Sequence, residues 1–234
     1  MVLFGRDRRG QPVAVKLEDD TKGESLRHEA SIYLRLGRCK GVPTLHDYGV
    51  CGWCRFVVLD HLAKSIEEAW AGDASATSRA MVDALEAVHG LGVLHRDIKP
   101  ENFRATAEGA VKLLDYGASC FYAPQGAHVP FDPDAGIVGS RRYASVVAIG
   151  GGTVSRRDDL ESLVYTLEEL REGSLPWTGA GDGALAIKKT WPVDHTHNPL
   201  AAACAAVRGV PFPAIPCYDT VRRAVECQSG GASE

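Results

Sequence analysis

The sequence predicts an α+β protein of two lobes, with a strand-rich N-terminal part and a mainly helical C-terminal part. Two observations support this fold class. Up to about residue 62, short runs with strand-like alternation are separated by turn residues, with one helical segment among them. Beyond that point, apolar residues recur mostly at helical spacing, and an apolar content of 45% is ample for a large core.

The N-terminal elements begin with two short strands in residues 2–17, on either side of the turn RDRRGQ. The segment 20–38 has the spacing of a helix, and its predicted apolar face is formed by four residues. These are Leu26, Ala30, Tyr33 and Leu34. A second pair of strands is predicted in residues 44–62, which would complete a small sheet packed against one helix.

The CGWC motif lies between the two strand-like runs of residues 44–62. A zinc ribbon would need a second pair of this kind, which the sequence lacks, and a redox motif would open a helix after a strand. The motif is therefore interpreted as the turn of a hairpin. The seven cysteines are an odd number without framework spacing, which favours free thiols in a reducing compartment.

The C-terminal elements follow in order from residue 65. Residues 65–92 predict one short and one long helix, which end at glycines, and 110–117 supply a strand. A loop rich in Gly and Pro covers 118–139, and 155–173 predict an amphipathic helix. The remainder predicts shorter helices joined by turns that contain proline.

Composition limits the classes of partner. The net charge is −4 and no block of Lys and Arg dominates a region, so nucleic-acid binding is not indicated. No apolar run of the length of a membrane span is present, and the first ten residues do not read as a signal peptide. We therefore expect an intracellular protein, cytoplasmic or nuclear, with no membrane partner; the oligomeric state is left open.

Residues 93–119, VLHRDIKPENFRATAEGAVKLLDYGAS, carry most of the functional information. Transfer of the terminal phosphoryl group of ATP requires a cation for the phosphates, oxygen ligands for Mg²⁺ and a carboxylate beside the accepting hydroxyl. The candidates are Lys16 with Glu29 as its ion-pair partner, Asp97 as the base with Lys99 beside it, and Asn102 and Asp115 as metal ligands. Each residue alone has an ordinary surface interpretation, but their joint order along the chain is specific.

These motifs resemble the eukaryotic protein kinase fold, and within it the casein kinase I group with the vaccinia-related kinases. HRDIKPENF (95–103) is similar to the catalytic loop of that group, and DYG (115–117) is the form seen among vaccinia-related kinases. GSRRYAS (139–145) stands where casein kinase I members carry a GTARYAS-type segment. SRRDDLESLVYTLEELREGSLPW (155–177) is similar to the central helix of the large lobe and the segment after it.

The resemblance implies one bilobal kinase-like domain over 1–234, with a truncated β-rich small lobe and hinge in 1–62 and a mainly helical large lobe in 63–234. It implies a serine/threonine protein kinase that uses ATP and Mg²⁺. The implied nucleotide contacts are Val2, Ala14, Lys16, the gatekeeper Leu59, hinge residues Asp60 and Leu62, and the magnesium ligands Asn102 and Asp115. Asp159 is implied to hold the catalytic loop from behind.

The resemblance further implies a protein substrate, and some casein kinase I members prefer one that is acidic or already phosphorylated. Arg142 and Lys188 fall near the positions of the anion site that serves this preference. For both residues, ordinary surface charge is the alternative.

Three departures from the family pattern bear on activity. The sequence starts with Met1 and Val2 at about the place of the hydrophobic residue that follows the glycine-rich loop, so either the protein lacks that loop or its start was assigned too late. Arg104 replaces the leucine expected under the adenine ring, and we expect it to extend towards solvent or a phosphate, or to stack on the purine. The segment SVVAIGGG replaces a SIN-type motif. A pseudokinase that acts as a binding or regulatory module is therefore the alternative function.

Overall fold

The protein was analysed as a computed structural model, which describes residues 1–19, 24–124, 126–194 and 197–229. The first part of the helix predicted for 20–38 falls on residues 20–23, which lie outside the described residues. The chain has a sheet-containing N-terminal part followed by helices, and the α+β fold class is confirmed. No helix in the described ranges is both long and apolar enough to cross a membrane.

The N-terminal part is built on an antiparallel sheet of four strands in the order β1-β2-β4-β3. Its elements are β1 (Val2–Arg6), β2 (Pro12–Asp19), α1 (Ser25–Leu36), β3 (Leu45–Cys51) and β4 (Cys54–Asp60). Helix α1 packs on the sheet through an apolar stripe that includes Leu26, Ala30, Ile32 and Leu36. Leu34 is 54% exposed, so its predicted place on the buried face was wrong, because Ile32 and Leu36 fill that face instead.

The CGWC motif forms the turn between β3 and β4, as its position between two strand-like runs predicted. Cys51 and Cys54 are directly opposite each other in the antiparallel register, and both are exposed. Each of the seven cysteines is a free thiol. The hairpin interpretation of the motif is therefore confirmed.

The C-terminal part consists mainly of helices with three short strand pairings. Its helices are α2 (Ile66–Gly72), α3 (Ala74–Gly90), α4 (Val146–Ile149), α5 (Arg156–Glu172), α6 (Ala184–Asp194), α7 (Pro199–Arg208) and α8 (Tyr218–Ser229). Its strands are β5 (Lys64–Ser65), β6 (Val93–Leu94), β7 (Phe103–Ala105), β8 (Val111–Leu113) and β9 (Cys120–Phe121). The strands β5, β7 and β8 form one sheet, and β6 pairs with β9.

Helix α5 is more deeply buried than an amphipathic surface helix. Helices α3, α4 and α7 all contact it, and Leu160, Leu163 and Leu167 have no exposed surface. Its buried polar residues are used in hydrogen bonds to loops, above all Asp158 and Asp159. The helix thus forms a central support on which the loops after β6 and before α4 rest.

One apolar cluster includes buried residues of both parts of the chain. It joins Tyr33 and Val57 of the N-terminal part to Leu85, Phe103 and Leu163 of the helical part. The boundary at residue 62 stays a prediction. The strand predicted for 110–117 is shorter than expected, because the chain leaves β8 after Leu113 and turns through Asp115 into a 3₁₀ turn at Tyr116–Ala118.

Candidate active site

The ammonium group of Lys16 lies between two carboxylates that come from distant parts of the chain. Its Nζ donates to Glu29 Oε1 at 2.7 Å and to Asp115 Oδ1 at 3.0 Å. Lys16 lies on β2, Glu29 on α1, and Asp115 just after β8. Burial by itself lowers the pKa of Lys16, but the two carboxylates outweigh this effect and raise the pKa. The side chain is therefore a fixed cation at neutral pH.

Asp97 is held in the loop between β6 and β7 by donors on both of its carboxylate oxygens. Lys99 Nζ donates to Oδ2 at 2.6 Å, and the Ser140 N–H donates to Oδ1 at 2.7 Å. Burial raises the pKa of the Asp97 carboxyl, but the hydrogen bonds from Lys99 and Ser140 outweigh it and the net pKa is lowered. Asp97 is therefore an ionised, oriented acceptor.

Asn102 ends a short 3₁₀ turn beside Asp97 and connects the two loops of the site. Its Nδ2 donates to the Asp97 carbonyl at 2.8 Å and to the Asp97 carboxylate at 3.3 Å. The Leu114 N–H donates to the Asn102 carbonyl at 2.9 Å, which holds Asp115 next to the turn. Because the amide nitrogen is used in these contacts, the Asn102 side-chain oxygen is the atom left for a ligand.

Two non-glycine residues of the described ranges have a positive φ, and both belong to this site. They are Arg96 (φ 66°) and Asp115 (φ 70°). Arg96 is held there by its N–H to Asp159 Oδ1 at 2.8 Å and by its Nε to the Ala118 carbonyl at 2.6 Å. Residues in such backbone conformations concentrate at functional sites, where the surrounding structure maintains them.

Asp159 supports the loop of Asp97 from the interior, from its position on α5. Its carboxylate accepts the backbone N–H of His95 at 2.7 Å and that of Arg96 at 2.8 Å, and it contacts His89 Nε2 at 3.0 Å. Burial raises the pKa of this carboxyl, but the interactions with His89 and His95 together outweigh it and the net pKa is lowered. Asp159 thus positions the loop from a buried place in the interior.

The segment after β4, which was predicted to be the hinge, lies beside the strand that carries Lys16. Ala14 is opposite Leu59 in the register of β2 and β4, and Leu59 and Leu62 are both buried. The Asp60 side chain accepts the Thr44 N–H at 2.7 Å and contacts His46, so it holds the end of β4 to the start of β3. Two residues after Ala14 on β2, Lys16 is opposite Val2, which is about half exposed.

Arg104 lies between two buried residues of β7, Phe103 and Ala105, and its side chain leaves the core on the opposite face. Its Nε donates to the Leu62 carbonyl at 3.1 Å. The sequence predicted extension to solvent or a phosphate, or stacking on a purine. A hydrogen bond to the hinge backbone was not among these expectations.

The two residues predicted for an anion site differ in their surroundings. Arg142 is partly exposed, pairs with Glu169 and lies near the Tyr143 ring. Lys188 has no exposed surface, and its Nζ donates to the carbonyls of Arg141 and Ala144. Neither the predicted anion contact nor the alternative of surface charge agrees with the buried position of Lys188 in this structure. Burial also lowers its pKa to about 7.

Sequence reasoning did not single out Gly139 and Ser140 as parts of the site. A Cβ at Gly139, where φ is +83°, would lie 2.2 Å from the Arg96 carbonyl oxygen. That close approach brings the Ser140 N–H to Asp97 and its hydroxyl to Lys99, at 3.1 Å. The GSRRYAS motif includes both residues, but it does not signal these contacts, since the partners lie about forty residues apart in the chain.

The residues present fit a nucleotide with magnesium. An amide oxygen and a carboxylate, on Asn102 and Asp115, are hard ligands of the kind that Mg²⁺ takes, and the Asp115 side chain is 47% exposed. No cluster of three or more His, Cys, Asp and Glu side chains within the described ranges could hold a metal alone.

Comparison with known proteins identifies the class that this fold and site define. The family model described as "Protein kinase domain" matches residues 8–198. Casein kinase 1-like protein HD16 of Oryza sativa subsp. japonica is 40% identical over 189 residues, which are 72% of this chain and 27% of that protein. The chain therefore spans about a quarter of the length of this relative. It belongs to the protein kinase family, within the casein kinase I group.

Proposed function

We propose that this chain is a serine/threonine protein kinase that transfers the γ-phosphoryl group of ATP to protein hydroxyls. The observation that carries the proposal is the joining of Lys16, Glu29 and Asp115 in one hydrogen-bonded group, while Asp97, Lys99 and Asn102 form a second. The two groups are linked through the Leu114 N–H to the Asn102 carbonyl. These contacts support a role for the six residues in phosphoryl transfer.

The charges of the two groups match the needs of the reaction. Lys16 is held as a cation by its two carboxylates, and it would bind nucleotide phosphate oxygens. Asn102 and Asp115 would hold magnesium, which when bound neutralises charge on the phosphates and orients them. Lys99, which contacts Asp97 and Ser140, would stabilise charge on the transferred group.

Asp97 would orient the hydroxyl group that accepts the phosphoryl. Its lowered pKa keeps the carboxylate ionised at neutral pH, so it can accept a hydrogen bond from the substrate hydroxyl before transfer. The proton would move to the carboxylate as the hydroxyl oxygen bonds to the γ-phosphorus and the bond from that phosphorus to the bridging oxygen breaks, so that ADP leaves. A lysine at position 99 resembles the serine/threonine rather than the tyrosine kinases, which supports the choice of acceptor.

A pseudokinase that acts as a binding or regulatory module is the second candidate function. Arg104 favours it, because a guanidinium group bound to the Leu62 carbonyl occupies the hinge side of the nucleotide site. An acidic or phosphorylated substrate is a further proposal, supported only by Arg142. Its guanidinium borders a cavity of about 430 Å³ and is already paired with Glu169.

Transfer to an acidic protein with labelled ATP and Mg²⁺ tests the proposal against the pseudokinase. We expect label on serine and threonine with wild type, and a loss of more than about a hundredfold with Asp115→Asn, which removes a metal ligand. Asp47→Asn is a matched control, since Asp47 is an exposed carboxylate on β3. No label with wild type, or equal label with Asp115→Asn, would refute the kinase proposal.

A further inference from the structure

The Arg104 side chain projects from β7 towards the predicted hinge segment and contacts the Leu62 carbonyl. Strand β7 places Phe103 and Ala105 in the core, so the intervening Arg104 projects to the other face, beside Leu62. Its Nε is anchored at 3.1 Å from the Leu62 carbonyl oxygen. The methylene stem can therefore form an apolar floor, as a leucine would, while the charged end lies at the hinge.

The anchor changes the hydrogen bonds that the hinge offers to a base. In the proposed function the hinge backbone contacts the base, so the N–H and the carbonyl of Leu62 are candidate hydrogen-bonding groups for it. Within the described residues, the Leu62 N–H has no backbone partner. Its carbonyl, in contrast, already accepts from Arg104 and has a positive charge beside it.

We propose that Arg104 determines the base specificity of the nucleotide site. A base that places an amino group against the Leu62 carbonyl meets a competing donor and a like partial charge. A base with only a C–H at that edge does not. The site therefore selects adenine over 2-amino purines such as guanine and 2,6-diaminopurine. This inference rests on the proposed function, since it assigns the base of the nucleotide in that site.

The free ends of the guanidinium support a role towards a ligand. Among the described residues, the Leu62 carbonyl is the hydrogen-bond partner of Arg104, and the two terminal nitrogens have no protein partner. A fully internal arginine would be expected to satisfy more of its five donors. The terminal nitrogens of Arg104 are thus available at the edge of the base or the ribose.

Equilibrium binding of ATP and 2-amino-ATP to the full chain, by calorimetry with Mg²⁺, tests the inference. The measured quantity is the ratio of the dissociation constant of 2-amino-ATP to that of ATP. Arg104→Met keeps the length of the stem and removes the donors and the charge. We expect this ratio to fall about three- to tenfold, the range of one ordinary hydrogen bond. Arg104→Leu is a second variant, with the same expectation.

Lys112→Met is the matched control for loss of charge. Lys112 is opposite Arg104 in the register of β7 and β8, and its Nζ donates to the Lys40 carbonyl, away from the hinge. For Lys112→Met, the ratio of the dissociation constant of 2-amino-ATP to that of ATP should equal the wild-type ratio. An unchanged ratio in both Arg104 variants, or an equal fall in Lys112→Met, would overturn the inference.

Binding without transfer separates this inference from the proposed function. A fall in the ratio with no phosphoryl transfer supports the base selection and refutes the kinase activity. Phosphoryl transfer by wild type, together with an unchanged ratio of dissociation constants in the Arg104 variants, supports the kinase activity and refutes the base selection. Absence of binding of either nucleotide to wild type and to both variants refutes both.

Discussion

The Lys16 ammonium lies 2.7 Å from the Glu29 carboxylate, which is almost completely buried on α1. This ion pair fixes α1 against the sheet, and the second contact of Lys16, to Asp115, connects both to the loop after β8. A buried carboxylate without its cation is costly, so the pair is expected to act as one unit. The contacts that join β2, α1 and the loop after β8 depend on this pair.

Removal of one partner of the pair should impair nucleotide use. Glu29→Gln leaves Lys16 without its main anchor, and we expect kcat/KM for ATP to fall about ten- to a hundredfold, with a higher KM for ATP. Initial rates at varied ATP measure this. Glu108→Gln, at an exposed turn, should match wild type. A Glu29→Gln enzyme with unchanged kcat/KM would contradict the role of the pair.

Asp159 should contribute to stability as well as to activity. Asp159→Asn keeps the shape but removes the charge that accepts the N–H groups of His95 and Arg96. We expect a loss of about 2–4 kcal/mol in the free energy of unfolding, measured by urea denaturation. Asp134→Asn, in an exposed loop, should change it by less than about 0.5 kcal/mol. An Asp159→Asn protein with the same free energy of unfolding as wild type would contradict the stabilising role of Asp159.

Gly139 should tolerate no side chain, because its Cβ would collide with the Arg96 carbonyl oxygen. We expect Gly139→Ala to displace Ser140 from Asp97 and to lower the transfer rate at least about tenfold. Gly136→Ala is the matched control, since Gly136 has a similar φ of +91° but no atom within 4 Å of the added Cβ. Both variants carry the cost of a positive φ, so equal activity would show that the close approach has no role.

The buried amine of Lys188 should make stability depend on pH. Burial lowers its pKa to about 7 from an ordinary value of 10.5, so between these values the unfolded chain binds a proton that the folded chain does not. The free energy of unfolding should therefore rise with pH across this window through this group. Lys188→Met removes the contribution, and its unfolding free energy should rise less between pH 7 and pH 9.

Urea denaturation at both pH values measures the difference in slope. Each pKa unit corresponds to about 1.4 kcal/mol, so the effect is at most a few kcal/mol. Lys40→Met, which removes an exposed amine, should keep the wild-type slope. Equal slopes in wild type and Lys188→Met would show that the amine is charged in both states.

Local pattern was sufficient to predict the fold class and the hairpin at Cys51 and Cys54. Alternation and helical spacing reflect which face of an element is buried, and the two-residue turn follows from its flanking strands. The same pattern placed Leu34 wrongly, because spacing alone does not tell which of two adjacent apolar stripes of α1 meets the sheet. Long-range packing makes that choice.

The candidate residues of the site were predicted from motifs, but several of their contacts were not. Lys188 was assigned by position to a surface anion site, whereas the structure buries it against two carbonyls. The contact of Arg104 with Leu62 depends on how β5 and β7 pair below the hinge. Such contacts between segments that are distant in sequence leave no periodic signal.

Transfer by an Asp97→Asn variant tests the central claim most directly. Asparagine keeps the shape of Asp97 but lacks the charge that orients and receives the proton of the acceptor hydroxyl. With labelled ATP, Mg²⁺ and an acidic protein, we predict transfer by wild type and a loss of at least about a hundredfold in Asp97→Asn, with ATP binding retained. Equal transfer rates of wild type and Asp97→Asn would contradict the account.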